Sequence, residues 1–271
     1  MVIIDKALSK RLEQSEARAN ADFVETRARI EPESGAEWIN VGGAYAMFDG
    51  IDSPLTQTFG LGLFEDATND QLEKIEEFYR ERKAHCFHEV SPLADQSILS
   101  LLGERGYRPI EVTSVLVREL KPGKARNENN GSGITTRVIE PGEHDLWART
   151  AAAGWATEHP GLSDFMFSFG RIGAQCPAGY PYVAEIGGEP VAAGSLIIYD
   201  DVCILAGAST IPEARRKGAQ TALLADRLQF SAEKGCTLAM MGAAPGSQSQ
   251  KNAQKNGFEI AYTRIKWQLF K

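Results

Sequence analysis

The chain has 271 residues, with 29 Lys plus Arg against 36 Asp plus Glu, a formal charge of −7 at pH 7. Hydrophobic residues make up 43% and charged residues 24%, ordinary globular usage that excludes a wholly disordered chain and suits one large domain or two small ones. The acidic balance excludes a protein whose main work is holding nucleic acid, which needs a basic face.

Cys86, Cys176, Cys203 and Cys236 are widely spaced with no CxxC pair, so neither a disulfide framework nor a zinc site is expected. Met1-Val2-Ile3-Ile4 runs straight into Asp5-Lys6, too short an apolar stretch for a secretory signal. No segment approaches the ~18 apolar residues of a membrane span. The expectation is a soluble, cytoplasmic protein with no membrane partner.

In chain order, Ile4, Leu8 and Leu12 recur at helical spacing and predict a first helix running towards Phe23. Strands are predicted over Trp38 to Phe48 and Leu55 to Phe64, separated by the turn Asp49-Gly50-Ile51-Asp52-Ser53-Pro54. A helix follows over Asp70 to Lys83, then a strand near Cys86 to Val90, a helix near Asp95 to Glu104 and a strand from Tyr107 to Leu120. Gly60-Leu61-Gly62 reads as close packing inside the second strand rather than as a nucleotide loop. His85 and His88, three apart on a strand, point to opposite faces and share no metal; His144 and His159 have no partner at ligand spacing.

The run Lys121 to Gly133 has no hydrophobic periodicity and is rich in Gly, Asn and charge, so it is expected to be a linker. Beyond it come a strand at Ile134 to Ile139, helices near Glu143 to Trp155 and Ser163 to Ile172, and strands at Tyr182 to Ile186, Glu189 to Tyr199 and Val202 to Thr210. A helix over Gly218 to Ala232, a strand near Thr237 to Met241, a helix near Gln248 to Lys255 and a long last strand complete the chain. Residues 1–120 carry 13 basic and 22 acidic side chains, net −9; residues 121–271 carry 16 and 14, net +2.

The end of the first half recurs at the end of the second. Leu101-Leu102-Gly103-Glu104-Arg105-Gly106-Tyr107 closes a helix on Gly and opens a long strand, and Ala253-Gln254-Lys255-Asn256-Gly257-Phe258 does the same. Glycine suits the left-handed position after a helix. Each junction follows a strand led by Cys86 or Cys236. A matched order of strand, helix, Gly and strand points to duplication.

The segment with chemical content is Ser209-Thr210-Ile211-Pro212-Glu213-Ala214-Arg215-Arg216-Lys217-Gly218-Ala219-Gln220-Thr221. A strand ends, a basic turn intervenes, and a helix begins at Gly218, where backbone N–H groups lack intrahelical partners and can hold an anion. Spacing alone leaves two readings open, a phosphate or diphosphate site and a solvated basic helix cap.

Arg215-x-x-Gly218-x-Gln220 resembles the Arg/Gln-x-x-Gly-x-Gly/Ala signature of the GNAT acetyltransferase superfamily. Pro245 to Phe258 is similar to that family's second cofactor-contacting helix, and the likeness covers roughly residues 134–271. Gln220 departs from the commoner small residue. The resemblance implies an α/β (α+β) fold of tandem GNAT-like mixed sheets flanked by helices: a degenerate copy over 1–120, the linker 121–133, and an acetyl-CoA-binding domain over 134–271.

It also implies roles. Backbone amides of Arg216, Lys217, Gly218, Ala219, Gln220 and Thr221, beside Arg215, would cradle the coenzyme A diphosphate. Ala208, Ser209 and Thr210 would pair with the pantetheine amides and polarise the thioester carbonyl. Ser249 and Asn252, three apart on a helix, would reach the cofactor from another side. The implied reaction is direct acetyl transfer to a primary amine of a small-molecule acceptor, without a metal. Ala253 stands where many members carry the Tyr that protonates the leaving thiolate, so Tyr262 and Glu158 are the substitute candidates. The alternatives are a protein or peptide N-acetyltransferase and a non-catalytic acyl-CoA-binding sensor or partner module. Oligomeric state is not legible.

Overall fold

The computed structural model describes residues 2–121, 133–156 and 161–270. Most of the expected linker, together with Glu158, His159 and Pro160, lies outside the described residues. The first elements are α1 (Lys6–Ile30), β1 (Glu37–Val41), β2 (Ala44–Phe48), β3 (Gln57–Phe59), α2 (Asn69–Glu81), β4 (Phe87–Val90), α3 (Ser97–Glu104) and β5 (Tyr107–Glu119). There follow β6 (Ile134–Val138), α4 (His144–Trp155), α5 (Ser163–Gly173), β7 (Gly179–Ile186), β8 (Glu189–Tyr199) and β9 (Val202–Thr210). The last are α6 (Ala219–Glu233), β10 (Leu238–Ala243), α7 (Gln248–Lys255) and β11 (Glu259–Leu269).

Two compact units divide these elements: Met1–Arg118 with Met240–Lys271, and Glu119–Ala239. The residues from Met240 on are grouped with the first unit, not with the half they follow in sequence.

In the first unit the strand order is β1-β2-β3-β4-β11-β5. β3 and β4 pair parallel, and the other neighbours pair antiparallel. The two strands that open after Gly106 and Gly257 therefore pair with each other, from Glu259 opposite Val117 to Leu269 opposite Tyr107. Both glycines are left-handed, with φ of +92° and +78°.

Local chemistry sets the element ends. Asp5 caps α1 by accepting from the Leu8 amide at 2.8 Å, and the helix runs past Phe23 until Glu31 meets Pro32. The expected single strand over Trp38 to Phe48 is instead the hairpin β1–β2. Gly42 and Gly43 turn the chain with φ of +59° and +81°, as a two-residue primed turn requires. The expected strand Leu55 to Phe64 shrinks to three residues, because Gly60 and Gly62, at φ +83° and +71°, end it. The Gly-Leu-Gly run is thus a turn after β3, not a packed strand.

The second unit is an antiparallel meander in the order β9-β8-β7-β6. Val183 and Ala193 pack with Trp147 and Ala151 of α4, and the Trp147 indole donates to the Tyr182 carbonyl at 3.0 Å. Gly194, the next residue of β8, faces Arg227 of α6. Alternation along a strand thus puts α4 and α6 on opposite faces of the meander.

Candidate functional site

The register of β8 and β9 breaks once. Ala193 opposes Ser209 and Ser195 opposes Ala206, leaving Gly194 against both Gly207 and Ala208. Two residues against one is a β-bulge, and Gly207 takes the left-handed φ of +59° that such a kink favours. Val202 to Leu205 are buried, Ala206, Gly207 and Ala208 are exposed, and Ser209 and Thr210 are buried again. The bulge opens a length of backbone in the middle of an otherwise covered strand.

The end of β9 is pinned. The Ser209 hydroxyl donates to the Ala151 carbonyl at 2.9 Å. Gly154 permits that approach, since a Cβ there would lie 2.5 Å from the same hydroxyl. Arg215 donates to the carbonyls of Gly154 at 2.9 Å and Thr210 at 3.3 Å. Gln220 donates to the Ser209 carbonyl at 2.7 Å and the Thr210 hydroxyl at 2.8 Å. Arg215, expected beside a diphosphate, and Gln220, expected to offer it a backbone amide, have side chains that tie the strand end to the loop and helix.

Between them, Pro212–Ala214 form a short 3₁₀ turn, Arg216 adopts φ +62°, and Gly218 enters α6 at φ +95°. Arg216, Lys217 and Gly218 are exposed. No side chain caps α6, and its first turn holds no acidic residue. The leading amides, including those of Ala219, Gln220 and Thr221, form the start of a helix whose macrodipole favours an anion. A Cβ on Gly218 would find space, its nearest neighbour being Ile134 Cδ1 at 3.6 Å; the left-handed φ is what disfavours a side chain.

Residues 144–258 match the Acetyltransferase (GNAT) family. The GNAT match contains the bulge, the basic loop, α6 and α7. A GCN5-related N-acetyltransferase from Kribbella flavida is 20% identical over 93% of this chain and 95% of its own, with TM-score 0.61. One from Sphaerobacter thermophilus is 18% identical over 83% and 76%, with TM-score 0.56. A tandem GNAT protein from the clavulanic acid biosynthesis pathway is 13% identical over 83% and 77%, also at 0.56. The chain shares the mixed α/β fold of these GNAT structures. No curated protein matches it.

The remaining candidates lie in the first unit. Ser249 and Asn252 are exposed on α7, where Asn252 accepts from Gln248 at 2.7 Å. Ala253 is 1% exposed. Tyr262 is buried and donates to Glu13 at 2.8 Å; burial and the Glu13 charge push its hydroxyl far above its ordinary value. Tyr262 thus belongs to a buried polar cluster.

Three participants were not singled out by sequence. Ala206 and Gly207 belong to the bulge, for which a Gly inside a strand is the available signal. Arg227 is 3% exposed beneath that bulge, and an i+9 position on a helix gives no such signal.

Proposed function

We propose that the protein is an N-acetyltransferase that uses acetyl-CoA and acts on a primary amine of a small molecule. The observation that carries this reading is the exposed bulge at Ala206–Ala208 running into the uncapped basic start of α6. The residues fit the cofactor: exposed strand backbone suits amide pairing, and a helix start with Arg216 and Lys217 suits a diphosphate. Acetyl-CoA, when bound, supplies a thioester whose carbonyl carbon is the electrophile. The backbone of Gly207 and Ala208, outside the regular ladder, offers donors for the carbonyl oxygen. The loop amides hold the diphosphate, and the Gln220 and Arg215 tethers keep loop and strand in one geometry, so that most acceleration comes from positioning.

Residues 1–120 are read as a degenerate copy that binds no coenzyme A. Their α2 is closed by a capping box, Thr68 accepting from the Gln71 amide at 3.2 Å and Gln71 accepting from the Thr68 amide at 3.1 Å. Asp70 adds an acidic group to the same turn. An anion there meets satisfied donors and a like charge.

Calorimetric titration with coenzyme A tests both statements. One equivalent per chain is expected, and two would remove the degenerate reading. Gly218→Trp, checked for folding by circular dichroism, should lose binding by at least tenfold; unchanged affinity would mean the loop is misassigned. Thiol release over an amine panel then separates enzyme from sensor. The lack of a proton donor at Ala253 and the sequestration of Tyr262 against Glu13 favour the sensor reading, which binding without turnover on any amine would support.

A further inference from the structure

Arg227 sits on α6 with its guanidinium in the space a side chain at Gly194 would occupy, a Cβ there lying 2.9 Å from Nη1 and 3.0 Å from Cζ. Nη1 donates to the Ser195 carbonyl at 2.8 Å and Nε to the Leu223 carbonyl at 3.2 Å. Only carbonyl oxygens receive it; among the described residues no carboxylate is paired with it. Elsewhere in the chain buried guanidinium groups have acids, as Arg27 has Asp49 and Arg264 has Glu13. Burial lowers Arg227 to about 10, partly opposed by Cys203 and Tyr182, so it stays protonated at neutral pH. An uncompensated buried cation is costly, and this one lies where β8 faces the bulge.

We propose that Arg227 is the positioning residue of the acetyl-transfer site: it fixes the β8 backbone opposite Gly207 and Ala208 and stabilises negative charge on the departing sulfur. This rests on the acetyltransferase reading above. In the transfer the amine lone pair forms the C–N bond and the C–S electron pair leaves on sulfur. The amine gives up one proton, which ends on the thiol either through solvent or directly. With Ala253 where an acid is common, the sulfur departs as thiolate, and a fixed positive charge in a low-dielectric sheet favours that form without donating a proton. Gly194 is glycine because the guanidinium occupies its side-chain space.

The test titrates the thiol of coenzyme A bound to the full chain, followed by thiolate absorbance. In the wild type the bound thiol should have a pKa about one unit below that of free coenzyme A, the order expected for a unit charge acting across a strand. Arg227→Met should raise it back by about that amount, and Arg227→Lys, which keeps the charge, should leave it within about half a unit. A bound thiol with the same pKa as the free one in the wild type overturns the proposal, whatever the variants do. So does an equal shift in the Met and Lys variants, or none in a folded Met variant. If coenzyme A does not bind the wild type at all, the acetyltransferase reading falls with it. Binding with an unshifted thiol removes only the role of Arg227.

Discussion

Glu13 on α1 is fully buried, and its neighbours decide its protonation. Arg264 lies 3.3 Å away but is shared with Glu16 at 2.7 Å and Glu89 at 3.1 Å. Burial raises Glu13 from 4.5 to about 7, opposed by Arg264 and reinforced by the charges of Glu16 and Glu89. The folded state therefore keeps this proton to higher pH than the unfolded chain. The stability it contributes is full below about 4.5 and is lost as pH rises through about 7. Glu13→Gln should unfold at higher denaturant than wild type at pH 8, by on the order of 1–3 kcal/mol, with the gap narrowing towards pH 5. A gap that does not change with pH would contradict this. At the site itself, Gln220→Ala leaves the Ser209 carbonyl and Thr210 hydroxyl without their donor, which should cost about 1–2 kcal/mol in thermal or chemical unfolding and weaken coenzyme A binding.

At the scale of elements, the sequence located the seven α-helices of the described residues, most of them by an apolar stripe that sequence alone displays; α7 buries only Ala253 and has no such stripe. Helix α1 shows the stripe in Leu8, Leu12, Ala17, Ala21 and Val24, all buried. The first-unit strands were less legible. Trp38 to Phe48 alternates acceptably as one strand, although Gly42-Gly43 within it is the two-residue signal of a primed hairpin turn; what only the structure shows is that Gly43 also packs against Phe64. A Cβ on Gly43 would stand 2.5 Å from Phe64 Cβ, at φ +81°. Gly43→Ala should therefore cost about 2–4 kcal/mol, from backbone strain plus overpacking. Gly35→Ala, at φ +65° with open space around it, should cost only about 1 kcal/mol. Equal costs in a urea titration would count against the packing term. The site divided likewise. Its loop was legible because Arg215 to Thr221 is contiguous. The bulge was not, because it is a register relation between β8 and β9.

Across the whole chain, the C-terminal segment changes the division. β11 lies between β4 and β5 in the sheet of the first unit, so residues 1–118 lack an inner strand of their own unit. A chain ending at residue 239 should lose cooperative unfolding of the first unit, read as a missing transition in a circular-dichroism melt. Retention of the full transition would show that β11 is dispensable. The charge contrast changes too. Split in sequence, the halves carry −9 and +2. Split as the compact units, Met1–Arg118 with Met240–Lys271 holds 18 basic and 22 acidic side chains, net −4, and Glu119–Ala239 holds 11 and 14, net −3. The apparent acidity of one half is largely offset once the cationic tail, with Lys251, Lys255, Arg264 and Lys266, is counted where it folds.

The sequence by itself determined what is local: the helices, the glycine-closed junctions before β5 and β11, and the basic turn into α6 that marks the GNAT segment. These depend on residues a few positions apart, and hydrophobic period, capping and helix-start geometry act at that range. Tertiary structure alone decided which residues a distant neighbour would claim. Tyr262 went to Glu13, Gln220 to the end of β9, Arg227 to the space left by Gly194, and β11 to the first unit. Each of those outcomes depends on strand register and close packing between segments far apart in the chain, where a one-residue shift exchanges the buried face for the open one.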